Sequence, residues 1–471
     1  MKFLLFGTGD YFERYKKWFR KEDVVALLDN SPNKQNTIID GMKVLSPKEG
    51  IRLSFDVIVI LSFYVEEMRE QLHHMGVPDS KIYHFYDLHQ LLFSKERKKE
   101  VQYYGNFEAE TANINENSRG KKILLLSHDL ELGGPALALY QTAKVLIGNG
   151  YSVVFASMID GPLKGILLEK DIPVIVDANL QIATMAETEW IKGFDLLICN
   201  TINYHVFLSV RSNSKPIIWW LHDSAFFYHG VKTSVLQSIS RENMTVCSVG
   251  PVPAQAIHSF IPDLPVDTLI YGVEDTVSRI SSKRNLLLKE GTKLCFVTIG
   301  YIENRKGQDV LIEAIRLLPQ EIRETVNFYL VGSNSSIMAQ NIIEEVKGMP
   351  EIVITGAVNR ERISEILSCA DMLICPSRED PMPTVCAEAM MHGIPCLVSD
   401  VTGTAEYIED GISGFVFPSE NVQSLSEKIM WCVKNSVNLC KIGENARKVY
   451  DNNFSTKVFE RKLLQIVGKA L

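Results

Sequence analysis

The chain has 471 residues, 46% apolar and 23% charged, with 49 basic against 57 acidic side chains and a net charge of −8. At roughly 100–200 residues per domain this length predicts about three globular domains, and the acidic balance argues against a general nucleic-acid binder, which is usually basic. The nine cysteines are scattered with no Cys-x-x-Cys pair, which points away from a disulfide framework or a structural zinc and toward small buried hydrophobes of a reducing compartment.

Met1-Lys2-Phe3-Leu4-Leu5-Phe6 turns straight into Gly7, too short an apolar run for a signal peptide. The longest nearly unbroken apolar run, from Asp56 to Val65, is about half of what spans a bilayer. No transmembrane helix is expected, and the protein is expected in the cytoplasm. Short apolar strands are predicted at 2–6, 24–28, 57–61, 122–127, 152–156, 196–200, 216–221, 245–249, 295–299, 327–331, 352–355, 372–375 and 395–399, with amphipathic helices between them. Apolar strands alternating with helices imply an α/β fold of parallel sheets covered on both faces.

Two seams break this rhythm. One starts with Lys95-Glu96-Arg97-Lys98-Lys99-Glu100 and ends in the polar stretch Asn113 to Ser118; the other is the Ser- and Lys-rich stretch from Ser278 to Thr292. They divide the chain into a small module at 1–94, a linker at 95–120, a second module at 121–285, a third at 286–450 and a final helical segment at 451–471. The four basic residues of the first seam can touch anionic lipid, which would make the protein peripheral at the inner membrane face. Glu96 and Glu100 dilute them, and a solvated linker is the plainer reading.

In the first module a strand runs into Gly7-Thr8-Gly9, and Asp29 ends the next strand twenty residues after Gly9. That spacing suits a carboxylate meeting a ribose hydroxyl in a dinucleotide fold. The third Gly of the fingerprint is replaced by Phe12. Two readings stay open: Gly7, Gly9 and Asp29 bind a nucleotide or acyl cofactor, or the glycines only form a tight strand-to-helix turn. Leu27-Leu28-Asp29-Asn30, Asp40-Gly41 and Val44-Leu45-Ser46-Pro47 resemble the small Rossmann-like domain of sugar O-acyltransferases and sugar-nucleotide dehydratases.

The strongest signal is Pro376-Ser377-Arg378-Glu379-Asp380-Pro381-Met382-Pro383-Thr384-Val385-Cys386-Ala387-Glu388. A strand ends at Cys375 and a helix begins near Thr384, so the N–H groups of Met382, Pro383's successor Thr384 and Val385 face whatever lies above the strand ends, a ready anion site. Glu388 follows one helical turn in, where a carboxylate can accept from the vicinal hydroxyls of a ribose. A loop over Gly300-Tyr301-Ile302-Glu303-Asn304-Arg305-Lys306-Gly307 offers cations, and Gly133-Gly134 precedes another helix, where backbone approaches a phosphate closely.

These pieces, in this order, resemble the retaining glycosyltransferases of family 4 (glycosyl transferases group 1), and the matches run from about Lys121 to the C-terminus. The resemblance implies a GT-B fold, two facing Rossmann-like domains with the donor between them, preceded here by the extra Rossmann-like module. It places the acid-x7-Glu signature on Asp380 and Glu388, with Glu388 on the nucleotide ribose. It places Lys306 on the donor phosphates and His222, at the end of Trp219-Trp220-Leu221-His222-Asp223, on the donor sugar. His222, Lys306 and Asp380 are thus the candidate catalytic residues, and Gly133, Gly134, Arg305, Lys306, Met382, Pro383, Thr384 and Glu388 the candidate donor-binding ones. The arginine usual directly after the strand Gly is replaced by Tyr301, and Arg305 is the candidate substitute. Asp380 is shorter than the more frequent Glu.

The implied activity is transfer of a sugar from a UDP- or GDP-sugar, with retention and without a metal cofactor, to a glycan, lipid-linked or other glycoconjugate acceptor in surface polysaccharide synthesis. Partners are then a nucleotide sugar and an acceptor glycan, with no nucleic acid. Three rivals remain: a non-catalytic sugar-nucleotide-binding subunit, a GT-B sugar-nucleotide 2-epimerase or phosphorylase, and an activity of the first module's own, whose small size favours a binding or docking role instead.

Overall fold

The computed structural model describes every residue except 63, 86–99, 108–119, 182–183, 212–214, 229–230, 278–292 and 334–336. The basic cluster Lys95, Arg97, Lys98 and Lys99, the polar stretch 113–118 and the second seam at 278–292 lie outside the described residues. The described part is built on three sheets.

The first sheet has the order Ile38–Ile39, Met42–Leu45, Val24–Leu28, Phe3–Phe6, Val57–Ile60, Ile82–His84. It is parallel except for the hairpin of its first two strands. Phe3–Phe6 and Val57–Ile60 are buried at every position, as expected of parallel strands covered on both faces.

The second sheet has the order Asp267–Thr268, Met244–Ser248, Ile217–Leu221, Leu196–Asn200, Lys122–Ser127, Ser152–Ser157, Val174–Val176, Gln102–Tyr104. Only its last pair is antiparallel: Gln102–Tyr104 lies against Val174–Val176. That strand falls inside the stretch expected to be linker. Its three residues are too few, and too polar on their outer side, to signal a strand; the free sheet edge supplies the partner. The third sheet, all parallel, has the order Ile352–Gly356, Val326–Val331, Leu294–Ile299, Met372–Cys375, Cys396–Ser399, Gly414–Phe417.

In both larger sheets the strand order reverses at the first strand. Lys122–Ser127 lies between Ser152–Ser157 and Leu196–Asn200, and Leu294–Ile299 between Val326–Val331 and Met372–Cys375. Loops leaving such a switch point diverge to opposite faces and open a crevice at the carboxyl ends of the strands. The loops after Ser127, Ile299 and Cys375 all start there.

The chain crosses between the two sheets near Tyr271-Gly272-Val273. Val273 N–H donates to Phe454 O at 2.8 Å, and the Tyr450 hydroxyl donates to Val273 O at 2.8 Å. Gly272 is needed there, because a Cβ would stand 3.0 Å from Thr456 Cα. Helix Leu439–Asn453 packs on the third sheet, and helix Thr456–Ala470 returns to the second. There Phe459 stacks on Trp220 with ring centroids 5.9 Å apart, and Asn149 donates to Glu460 at 2.9 Å. All nine cysteines are free, and all but Cys369 and Cys440 are buried. Among the described residues no helix is long and apolar enough to cross a membrane.

Candidate functional site

The loop expected to carry the phosphate-binding cations follows strand Leu294–Ile299. Gly300 stands at φ 150° and Gly307 at φ 66°, both in the region that favours glycine. A Cβ on Gly307 would sit 2.0 Å from Pro376 O, so only glycine lets this loop cross the loop after Cys375. Between them the turn Asn304–Lys306 carries the two cations. Lys306 Nζ lies 2.5 Å from Asp380 Oδ2. Both side chains are largely buried, 18% and 7% exposed. Burial works against the lysine's charge, but Asp380 outweighs it and the ammonium is held more firmly protonated than usual.

Arg305 does not point away from its neighbour. Its Nη1 donates to Glu379 O at 3.0 Å and stands 3.9 Å from Asp380 Oδ2, while Nη2 donates to Glu303 at 2.8 Å. Two cations therefore converge on one carboxylate. Tyr301, in the place of the expected arginine, is 71% exposed.

The acid loop is fixed on both sides. Asp380 bridges to Thr402, and Gly403 N–H donates to Asp380 O at 3.0 Å. Met382 is buried and points inward: its Cε is the nearest atom to a Cβ built on Gly250, at 2.5 Å, and lies 3.3 Å from one on Gly403. Its carbonyl accepts from the Tyr271 hydroxyl at 2.8 Å. Pro383, buried, is the N-cap of helix Thr384–Met391, and Thr384 and Glu388, one turn apart, are half-buried on it. The N–H groups of its first turn are the orphan donors that an anion satisfies.

Across the crevice, His222 and Asp223 follow strand Ile217–Leu221. His222 is buried, and burial, with His128 nearby, holds its pKa down to about 3. Its imidazole is neutral at physiological pH. Asp223, also buried, accepts from Ile202 N–H at 2.6 Å, and burial raises its pKa to about 6. His128 Nε2 lies 3.2 Å from Asp129 Oδ2. Three residues past Asp223, Phe226 N–H donates to the Glu379 carboxylate at 3.2 Å. This bond and Tyr271 to Met382 tie the His222 side to the Asp380 side. Gly133 caps helix Gly134–Gly148, and a Cβ on either glycine would meet nothing within 4 Å. Packing within the chain does not demand glycine at either position.

Several contributors escape sequence reasoning. Arg378 forks onto Asp309 at 2.9 and 2.6 Å, donates to Asn304 O at 2.7 Å and reaches Glu420 at 2.8 Å, while its N–H donates to Arg305 O at 2.8 Å. It holds the cationic turn to the acid loop. Gln308, 1% exposed, donates to Tyr301 O at 2.9 Å and fixes the other end of the turn. Arg378 carries no spacing signal, since Asp309 and Asn304 lie 69 and 74 residues away; Gln308 bonds a backbone carbonyl seven residues back, a contact no residue pattern announces. Among the described residues no group of three or more His, Cys, Asp or Glu side chains is placed to hold a metal.

In the first sheet the geometry favours the turn over the ligand site. The Asp29 carboxylate accepts from the Thr8 hydroxyl, from Thr8 N–H at 3.1 Å and from Ser31 N–H at 2.9 Å. It is occupied in closing the turn. A Cβ on Gly7, at φ 108°, would meet Leu61 O at 2.6 Å; Gly7 is a packing requirement.

Residues 280–449 match the family model "Glycosyl transferases group 1" and residues 119–245 the model "Glycosyl-transferase family 4". Residues 1–83 match "C2185-like, N-terminal". That match replaces the expected likeness to acyltransferases and dehydratases. An uncharacterized glycosyltransferase of Methanocaldococcus jannaschii is 25% identical over 56% of this chain and 72% of its own. Lipopolysaccharide glucosyltransferase WaaG of Escherichia coli is 28% identical over 36% of this chain and 43% of its own. Anabaena HepE, solved in complex with UDP and glucose, superposes with a TM-score of 0.60 at 21% identity, over 74% of this chain and 99% of that one. The two larger sheets thus form a GT-B fold, and the small sheet precedes it.

Proposed function

We propose that this chain, whose two larger sheets carry group 1, family 4-like glycosyltransferase domains, moves a sugar from a UDP- or GDP-sugar to a glycan or lipid-linked acceptor with retention of anomeric configuration. The observation that carries the reading is the convergence of Lys306 and Arg305 on Asp380 beside the N-terminus of helix Thr384–Met391. A nucleoside diphosphate needs such a cationic cradle when it departs, because charge grows on it as the glycosidic bond breaks. The UDP complex of HepE, on the same fold, supports a UDP-linked donor.

In this reading the diphosphate replaces part of the Asp380 contact on Lys306, and Arg305 and the helix N-terminus add donors. Glu388 accepts from the ribose hydroxyls. The neutral imidazole of His222 faces the sugar from the other domain, where it hydrogen-bonds without adding charge beside the cationic anomeric carbon. The phosphate helps to deprotonate the acceptor as the latter attacks from the leaving-group face. Gly133 and Gly134 let the protein backbone approach the substrate closely, and the two sides of the crevice close to keep water from the donor. The chain then divides into a small module at 1–94, a linker at 95–120 that lends strand Gln102–Tyr104 to the second sheet, an acceptor-side domain at 121–285, a donor-side domain at 286–450 and the returning segment at 451–471.

The test is incubation with a panel of UDP- and GDP-sugars and alkyl glycosides, with nucleotide release measured and the product's anomeric configuration read by proton NMR. A transferred sugar of unchanged configuration supports the proposal. An inverted product removes retention. Epimerisation of the donor without any acceptor removes transfer.

A further inference from the structure

Strands Lys122–Ser127, Leu196–Asn200 and Ile217–Leu221 are neighbours in the second sheet. Ile123, Leu125, Leu196, Ile198, Ile218 and Trp220 belong to the core on one face, and Leu124, Leu126, Leu197, Cys199, Ile217, Trp219 and Leu221 to the core on the other. The two-residue period of a strand therefore sends Ser127, Asn200 and His222 to the same face. The 4.5 Å between the Trp220 and His222 rings agrees with this. Leu126 pairs with Cys199, and Asn200 with Trp220. Ser127 and Asn200 are thus level, and His222 stands two residues further toward the mouth of the crevice.

All three are buried, at 0%, 0% and 8% exposure. Ser127 Oγ, Asn200 Oδ1 and His222 Nε2 make no hydrogen bond among the described residues. Buried atoms of this kind occur a few times per hundred residues in native proteins, and others occur elsewhere in this chain; three of them in one row at a switch point call for an explanation. Asn200 Nδ2 donates to Pro135 O at 2.8 Å. A carbonyl only accepts, so this bond fixes the amide's orientation and leaves its oxygen, an acceptor, as the free atom. It also ties Asn200 to the first turn of helix Gly134–Gly148, at whose start a Cβ on Gly133 or Gly134 would meet nothing within 4 Å.

On the reading that donor and acceptor meet in this crevice, we propose that Ser127, Asn200 and His222 form a row that binds the hydroxyl groups of a sugar ring, running from the Gly133-Gly134 loop to the mouth. The chemistry selects the ligand class. Asn200 Oδ1 requires a donor, and Ser127 Oγ and the neutral imidazole of His222 can each donate or accept. A phosphate offers acceptors and a negative charge, which Asn200 Oδ1 repels. A hydroxyl offers both roles and no charge.

The sugar ring can belong to the donor or to the acceptor, and two arms separate them. Wild type, Ser127→Ala and Asn200→Ala are titrated calorimetrically with UDP and with UDP-glucose, UDP-galactose and UDP-N-acetylglucosamine. In parallel, KM is measured for octyl glucoside and octyl galactoside. Thermal melts report folding. Ser127→Ala is the cleaner variant, since it removes a hydroxyl that bonds nothing within the described chain. The expected result is unchanged UDP affinity with a 3- to 10-fold loss for a UDP-sugar, which assigns the donor ring, or a 3- to 10-fold rise in acceptor KM alone, which assigns the acceptor ring. Unchanged affinities and KM values in both variants, or an equal loss for UDP and UDP-sugar, overturn the proposal. Wild type that binds no nucleotide counts against the donor-site reading instead. Where wild type binds no nucleotide, saturation-transfer NMR of the octyl glycosides on wild type and Ser127→Ala scores the row by itself: a signal lost in the variant supports it, and equal signals or none overturn it.

Discussion

Lys306 Nζ stands 2.5 Å from Asp380 Oδ2, joining the cationic turn of one loop to the acid of another 74 residues away. The lysine proposed for the donor diphosphate is neutralised by the chain's own carboxylate. A buried pair of this kind is costly to break from one side, because the survivor keeps its charge without a partner.

Asp380→Asn is therefore expected to destabilise the free protein by about 2 kcal/mol, less than a fully dry pair because Lys306 keeps some solvent contact. UDP supplies the missing negative charge, so it should raise the melting temperature of the variant more than that of wild type. Equal shifts in both, measured by thermal melts with and without UDP, would contradict a diphosphate at Lys306.

The turn that carries Lys306 depends on Gly307 and Arg378. Gly307→Ala places a Cβ 2.0 Å from Pro376 O at a left-handed φ of 66°, which should cost about 3 kcal/mol and be visible in urea unfolding. Arg378→Ala removes the fork onto Asp309 and the bond to Asn304 O. It should weaken nucleotide binding about tenfold while leaving the circular dichroism spectrum intact, since Arg378 positions the turn and belongs to neither core.

Acid stability gives a separate check on the His222 side. Burial and His128 hold His222 at about 3, below its unfolded value near 6.5, so its contribution is fully present above pH 6.5 and is lost as pH falls toward 3. Asp223 runs the other way: its pKa, raised by burial to about 6, favours folding below about pH 4 and loses that contribution as pH rises through 6. Replacing His222 by Asn should flatten the loss of stability on acidification from pH 6.5 to 4.5 by up to about 1 kcal/mol per pH unit. Asp223→Asn should steepen it. Urea melts at half-unit pH steps separate the two, and identical slopes in wild type and His222→Asn would show that the imidazole is solvated.

The sequence was most legible where strands are apolar throughout. Leu294–Ile299 and Met372–Cys375 announce themselves as short apolar runs between helices, and the loops at their ends follow from parallel topology. Short edge pieces such as Gln102–Tyr104 and Asp267–Thr268 did not, because their partners rather than their side chains make them strands. The acid-x7-Glu spacing marked Asp380 and Glu388. It gave no sign of Arg378, whose partners Asp309 and Asn304 lie 69 and 74 residues away. Asp29 was misleading for the opposite reason: its spacing from Gly9 suits a ribose, yet its carboxylate is spent on Thr8 and Ser31.

The most direct test of the donor site is calorimetric titration of UDP and of GDP into wild type and Glu388→Ala. The account predicts that one nucleotide binds wild type and binds Glu388→Ala at least tenfold more weakly, the loss of a charge-assisted hydrogen bond of about 1.5–3 kcal/mol to the ribose. Equal affinity in wild type and variant, or binding of neither nucleotide to wild type, would contradict it.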